Sequence, residues 1–339
     1  MSADTTSTPT QPDSGPTLDT RVDVPRPASA EQVKFFVDNG YLAMEDLVTM
    51  DEVEEMRRDT VALARGKYPC ESLKPLPANM SDREAQQNIL CIHQPHYVSP
   101  VMLKYVKHPK ICGVLSQITA AHLPFWDGSV KCMQSMLFVK PPGFQGQAWH
   151  QDEIYIPTRD RSLIGAWIAL DDATIDNGCL YVLPGSHRSG YLYPQRPHDK
   201  ADQWDFAPES YGFDQSAQVP VEVKAGTLVF FNGYLLHTSY PNKTRDMYRR
   251  VLVNHYMNAY SFLPWMATKE GQSVAGADTR TVLSVAGHDP YAWKGYQQPP
   301  NNVHLRTCKA NRTQTPESAD HMKPKSDVKQ EEEPATARA

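Results

Sequence analysis

In Ala148-Trp149-His150-Gln151-Asp152-Glu153 an imidazole and a carboxylate stand two residues apart. On an extended strand such residues share a face, so His150 and Asp152 can reach one interior point. A third donor must come from elsewhere in the chain. His237 follows Gly226-Thr227-Leu228-Val229-Phe230-Phe231, an apolar run that reads as a buried strand ending in a turn. Two imidazole nitrogens and one carboxylate oxygen suit iron(II) and leave its other coordination positions open. Four cysteine or histidine donors would instead point to structural zinc, and oxygen donors alone to magnesium or calcium. A lone His-x-Asp pattern is more often a histidine beside an unrelated acid, so the other residues must decide.

Arg249 lies twelve residues beyond His237. In Arg249-Arg250-Val251-Leu252-Val253-Asn254-His255-Tyr256, alternation puts Arg249, Val251 and Val253 on one face and Arg250 on the other, where it is expected at the surface. An interior Arg249 is a cation in apolar surroundings and needs an anion. The distal carboxylate of 2-oxoglutarate, held by a guanidinium fork through two parallel charge-assisted hydrogen bonds, meets that need; a carboxylate of the protein itself is the plainer alternative.

Such a constellation needs strands to carry it. From about residue 130 the chain breaks into short β-branched and aromatic runs separated by Pro, Gly, Asn and Asp, with candidate strands at 133–139, 147–155, 165–171, 179–183, 220–223, 227–231 and 249–257. That is enough for a jelly roll of two packed sheets. Helices precede it. Ser29 with Gln32 has capping-box spacing and opens the stripe Val33, Phe36, Val37; Asn39-Gly40 ends that helix, and Tyr41 to Met44 reads as a strand. Thr49 with Glu52 repeats the box before Val53, Met56 and Leu63. The expected fold is mainly β with helices (α+β), one domain over 28–308 with an N-terminal helical layer on the β core. Residues 1–27 carry almost no large apolar side chains, in 309–339 Pro, Lys and the acidic run Glu331-Glu332-Glu333 replace any hydrophobic period, and both are expected to be disordered tails. The aromatic, Pro-rich stretch at about 189–219 is either a lid over the site or a surface loop tied down by its aromatics.

Composition narrows the classes. Of 339 residues 40% are hydrophobic and 22% charged, as in ordinary globular proteins, and the net charge of -5 comes without a basic run dense enough to follow a phosphate backbone. Nucleic acid and membrane are therefore not expected partners: no stretch approaches a membrane span and the N-terminus lacks the blocks of a secretory signal. Six scattered cysteines form no Cys-x-x-Cys pair and read as buried thiols in a reducing compartment. Ala337-Arg338-Ala339 is not a Ser-Lys-Leu address, and the expected location is the cytoplasm.

Several ordered motifs resemble the phytanoyl-CoA dioxygenase family. They are Phe35-Phe36-Val37-Asp38-Asn39-Gly40-Tyr41, Lys140-Pro141-Pro142-Gly143, Trp149-His150-Gln151-Asp152, and Ala166-Trp167-Ile168-Ala169-Leu170-Asp171-Asp172. Asn177-Gly178-Cys179-Leu180, Leu183-Pro184-Gly185-Ser186-His187, His237-Thr238-Ser239 with Pro241-Asn242, and Arg249-Arg250 follow in order. The resemblance spans about residues 30 to 257. It implies a double-stranded β-helix with His150, Asp152 and His237 on iron(II), Arg249 and Ser239 on the 2-oxoglutarate carboxylate, Trp167 at the cosubstrate pocket and Gln134 as a polar contact to cosubstrate or substrate. Core packing is the plainer reading of Trp167, and strand pairing that of Gln134.

Family members usually place the arginine eleven residues after the distal histidine; an added residue near Arg245-Asp246-Met247 accounts for twelve. Related halogenases replace the metal carboxylate with a small residue, so Asp152 favours hydroxylation. His187 reads as structural, and His93 with His96 has no third donor nearby. The expected activity is oxidative decarboxylation of 2-oxoglutarate to succinate and carbon dioxide with dioxygen, coupled to hydroxylation of an unactivated C–H bond in a small organic metabolite. Desaturation, cyclisation or epimerisation by the same oxidant, and a non-catalytic small-molecule-binding protein on the same scaffold, are the alternatives.

Overall fold

The computed structural model describes residues 22–87, 89–263, 278–297 and 303–307. Local capping starts both long helices. The Ser29 hydroxyl accepts from the Gln32 backbone N–H at 3.2 Å while the Gln32 side chain accepts from the Ser29 N–H at 2.8 Å, opening α1 (Ala30–Asn39); Thr49 and Glu52 open α2 (Met50–Ala64) in the same way. Gly40 takes the left-handed conformation that closes α1. Three further helices follow, α3 (Asp82–Gln87), α4 (Pro100–Val106) and α5 (Pro109–Ile118).

The expected stripe on α1 holds only in part. Phe36 is buried and Val33 packs beside it, but Val37 is 40% exposed. Val37 instead contributes its carbonyl, which accepts from His187 Nε2 at 3.0 Å. The helix thus rests on a narrow seam, and His187 is structural, as expected. Before α1, Val22 and Val24 pack against the core, so the packed chain already includes residues that the sequence assigns to the tail. Residues 1–21 and 309–339 of the expected tails lie outside the described residues.

Fourteen strands are described: β1 (Tyr41–Met44), β2 (Ile89–His93), β3 (Val130–Lys140), β4 (Gln147–His150), β5 (Ile164–Ala169), β6 (Leu180–Val182), β7 (Gln195–Arg196), β8 (Glu209–Ser210), β9 (Val219–Val221), β10 (Leu228–Asn232), β11 (His237–Ser239), β12 (Arg249–Asn258), β13 (Leu283–Ala286) and β14 (His304–Thr307). One antiparallel sheet runs β1-β10-β5-β12-β3-β2-β14, with β13 also on β3; a second runs β4-β11-β6-β9; β7 and β8 form a small ribbon within the aromatic stretch. This is the expected double-stranded β-helix with a helical layer.

Period-two alternation sorts the large sheet between two cores. Leu137, Ile168, Leu228, Phe230 and Leu252 point to the helices and share a core with Val53, Met56 and Leu63. Their neighbours Trp167, Val229, Val251 and Val253 point the other way and meet Leu180 and Val182 of the small sheet. Strands clad on both sides must be apolar throughout, which is why Leu228–Phe231 reads as a continuous run.

Gly146, just before β4, lets that strand pass close to β11. A Cβ there would lie 1.8 Å from the Ser239 carbonyl oxygen, part of a backbone held in the sheet. Gly146→Ala is expected to lower the unfolding free energy by roughly 2–3 kcal/mol, seen as an earlier denaturant midpoint; an unchanged midpoint would show that the strands can separate without cost.

Candidate metal centre

His150 ends β4 and His237 begins β11, and the ladder sets them directly opposite each other with ring centroids 4.1 Å apart. The strand expected over 147–155 stops at His150, because Asp152 opens a 3₁₀ turn through Ile154. Gln151 between them keeps an extended backbone (φ -127°, ψ 126°), so alternation carries one step beyond the ladder and Asp152 still faces the histidines. The buried Gln151 side chain anchors that step, donating to the carbonyls of Tyr191 (2.9 Å) and Tyr234 (2.7 Å) and accepting from the Tyr193 N–H at 2.8 Å.

Asp152 Oδ1 lies 3.6 Å from His150 Nε2 and 3.7 Å from His237 Nε2, and the three donor atoms fall within 4.8 Å of one another. Each histidine places Nδ1 on a nearby carbonyl, His150 on Ala148 at 2.7 Å and His237 on Leu235 at 3.0 Å. Those carbonyls take the Nδ1 protons and leave both Nε2 lone pairs facing the carboxylate, the tautomer a metal requires. Burial, with His237 beside it, pushes His150 down to about 4, so the ring is neutral near neutral pH. Burial alone would raise Asp152, yet His237 and His255 hold it below the usual carboxylate range. A buried pocket in which two imidazoles present Nε2 toward an ionised carboxylate fits iron(II).

The second Asp152 oxygen is occupied by His255, whose Nε2 lies 3.1 Å from Oδ2. Alternation along β12 carries the inward face from Arg249, Val251 and Val253 two residues further, to His255. With Oδ2 held, Oδ1 is presented in one orientation. His255→Ala is expected to weaken iron(II) affinity roughly 10- to 100-fold, and His255→Gln to recover part of it; equal affinities by metal titration would reduce His255 to a packing residue.

Arg249 starts β12, paired with Lys140 at the end of β3. It is buried, with its guanidinium 5.7 Å from the centre of the Trp167 ring and its Nε without a hydrogen-bond partner. Among the described residues no carboxylate pairs with it, which removes the plainer alternative. The nearby Asp171 is taken by Arg250 in a two-pronged pair, Nε–Oδ2 2.8 Å and Nη2–Oδ1 2.7 Å. Arg250 is thus a half-buried ion-pair member rather than the surface residue expected, since its face of β12 is covered by the helical layer.

Lys140 was not singled out by the sequence, although it opens the Lys-Pro-Pro-Gly motif. Its buried amine donates to the carbonyls of Tyr240 and Gly178 and to Ser239 Oγ at 3.3 Å, and burial together with Arg249 pushes its pKa well below the usual range. Ser239 Oγ also accepts from the Gln147 N–H at 3.2 Å, which leaves its own O–H to donate to an anion.

One cavity of about 330 Å³ brings Gln134, His150, Asp152, Trp167, His237, Ser239 and Arg249 together. His93 also lines it, whereas His96 turns away to Ser135 Oγ at 2.5 Å. The aromatic stretch covers part of the mouth: Asp205, Ala207 and Pro208 line the cavity, and Trp204 packs in one cluster with Trp149.

Two imidazoles and a carboxylate between the sheets of a double-stranded β-helix define the mononuclear iron, 2-oxoglutarate-dependent oxygenases. The phytanoyl-CoA dioxygenase (PhyH) profile matches residues 36–251, and the chain belongs to that family of iron(II)- and 2-oxoglutarate-dependent enzymes that use dioxygen. It is 28% identical over 246 residues to phytanoyl-CoA dioxygenase of Arabidopsis thaliana, covering 64% of this chain and 86% of that protein. A probable phytanoyl-CoA dioxygenase of Caenorhabditis elegans is 29% identical over 250 residues, covering 68% and 75%. The epimerase SnoN, solved with Fe3+, alpha ketoglutarate and nogalamycin RO, shares the fold at a TM-score of 0.53 and 17% identity, covering 81% of this chain and 97% of that one.

Proposed function

We propose that His150, Asp152 and His237 hold iron(II), that Arg249 and Ser239 hold the distal carboxylate of 2-oxoglutarate, and that the enzyme hydroxylates an unactivated C–H bond of a small organic metabolite. The observation that carries this reading is the donor set itself: three atoms within 4.8 Å, both histidines presenting Nε2. When bound, iron and 2-oxoglutarate supply the oxidising power, one oxygen atom of dioxygen going to succinate and the other to the substrate.

The residues of the chain supply ligation, orientation and dryness. His255 holds Asp152 in one pose. Arg249 offers a two-pronged grip, with the Ser239 O–H and the Lys140 amine beside it and the Trp167 ring screening the pair from water. Asp152 keeps a carboxylate where a halogenase would need room for halide, which favours hydroxylation. A cavity of about 330 Å³ suits a small molecule. A cytoplasmic setting is supported by the free thiols of Cys70, Cys91, Cys112, Cys132 and Cys179; among the described residues no helix is long and apolar enough to cross a membrane.

Anaerobic titration of 2-oxoglutarate into the iron(II)-loaded protein is expected to raise the weak visible charge-transfer band of the chelate. Iron bound without such a band would sink the reading in favour of a binding protein. Product mass then separates outcomes: one added oxygen for hydroxylation, two lost hydrogens for desaturation or ring closure, no change for epimerisation.

A further inference from the structure

The inner face of the large sheet carries polar groups that neither the metal nor the cosubstrate uses. Pairing across β12, β3, β2 and β14 puts Arg249 opposite Lys140, then Val251, Phe138, Cys91 and Arg306 in one row, and Val253, Met136 and His93 in the next. Arg306 sits three strands from Arg249, roughly 14 Å at the usual spacing. The two arginines therefore stand on separate parts of the sheet.

Facing Arg306 from the aromatic stretch is Asp205, 7% exposed and lining the cavity. Its Oδ1 accepts from the Ala207 N–H at 3.2 Å, but its Oδ2 lies 3.9 Å from Arg306 Nη2, beyond hydrogen-bond reach. A buried carboxylate and a guanidinium thus oppose each other loosely across the mouth. His93, on the strand beside Arg306, has a buried Nε2 with no partner. Between these groups and the metal donors the wall is apolar, with Leu90, Met136, Phe138 and Ile156.

We propose that Arg306, Asp205 and His93 are the substrate head-group site, and that the substrate is a free α-amino acid with an apolar side chain. Its carboxylate takes Arg306 with His93 Nε2 alongside, its ammonium takes Asp205, and its side chain runs along Leu90, Met136 and Phe138 toward the metal centre. A lone anion drawn to Arg306 would compete with the buried Asp205 for the same guanidinium, and an uncompensated buried carboxylate is costly. A zwitterion lying alongside the pair, carboxylate on Arg306 and ammonium on Asp205, satisfies both.

A thioester of a phosphate-bearing carrier fits poorly. Residues 189–219 carry Asp199, Asp202, Asp205, Glu209 and Asp214 against only Arg196 and Lys200. Both of those bases are already paired with Glu209, at 2.8 and 3.1 Å.

The inference rests on the oxygenase reading, and the test separates the two. The full chain, loaded anaerobically with iron(II) and 2-oxoglutarate, is titrated with each protein amino acid, with the N-acetyl and methyl ester forms of those that respond, and with acetyl-CoA, while the charge-transfer band is read. At least one apolar amino acid is expected to perturb the band saturably, with each blocked form weaker by about tenfold or more. Asp205→Asn should weaken the free amino acid by a similar factor but not its N-acetyl form, and Arg306→Gln should do so without weakening the ester. A merely structural role would not give that crossed pattern. A normal band that no apolar amino acid perturbs, or an equal response to blocked forms or acetyl-CoA, overturns the amino-acid assignment alone; absence of the band overturns the oxygenase reading and this assignment with it.

Discussion

Asp152→Ala is expected to abolish succinate formation and to strip iron(II) from the protein on desalting. The loss should exceed the roughly 10- to 100-fold that removal of a supporting partner costs. Asp152 contributes the only anionic donor of the cluster, and its Oδ1 stands 3.6 and 3.7 Å from the two Nε2 atoms. Removing it leaves two imidazoles without a carboxylate and also strands His255, whose Nε2 has Oδ2 as its partner. Iron stoichiometry and succinate yield, measured together, check the result. Undiminished turnover would refute the ligand assignment outright; iron retained with turnover lost would move Asp152 from ligation to a later role.

Arg249→Met should produce two effects of opposite sign. In the free protein Arg249 is a buried cation without a carboxylate partner among the described residues, beside a buried Lys140 amine that it disfavours. Replacing such a charge with an apolar side chain of similar length removes a desolvation penalty and typically stabilises by about 1–4 kcal/mol. The unfolding midpoint without cosubstrate should rise by about 2–4 °C for each kcal/mol.

The same change should cost 2-oxoglutarate binding about 2–5 kcal/mol, an increase in apparent Kd of roughly 30-fold or more. Arg249→Lys should recover only part, since an ammonium cannot reproduce the planar fork. Thermal scans with and without 2-oxoglutarate measure both terms: the parent should gain the more from cosubstrate, the variant the less. A variant that is destabilised when empty and binds normally would mean that Arg249 is a structural residue.

Much of the site was legible because its signals are local. His150 and Asp152 share a face through the extended Gln151 between them, even though the expected strand ends at His150. Arg249 was placed inside by alternation within β12. The covering of the opposite face is not legible in this way, and the surface expectation for Arg250 fails for that reason: whether a strand face meets water or a helix is decided by residues far away, here Gln86 of α3, 164 positions distant, which accepts from Arg250 Nη1. His255 escaped notice because its partner lies 103 residues earlier, and Lys140 because a lysine in a Pro-Gly motif reads as a turn residue.

By itself the sequence determined the capping boxes of α1 and α2, the apolar strands of the large sheet, and the donor types that make an iron site and an anion site. These depend on residues within about four positions of one another, through helix caps and strand alternation. The tertiary structure alone decided that His150 faces His237, that His255 takes the second oxygen of Asp152, that Lys140 stands beside Arg249, and that Asp205 meets Arg306 across the cavity mouth. Each of those pairs joins segments brought together by sheet register and by packing across the β-helix, and register is set by the burial of both faces of the sheet at once, which no single stretch of chain encodes.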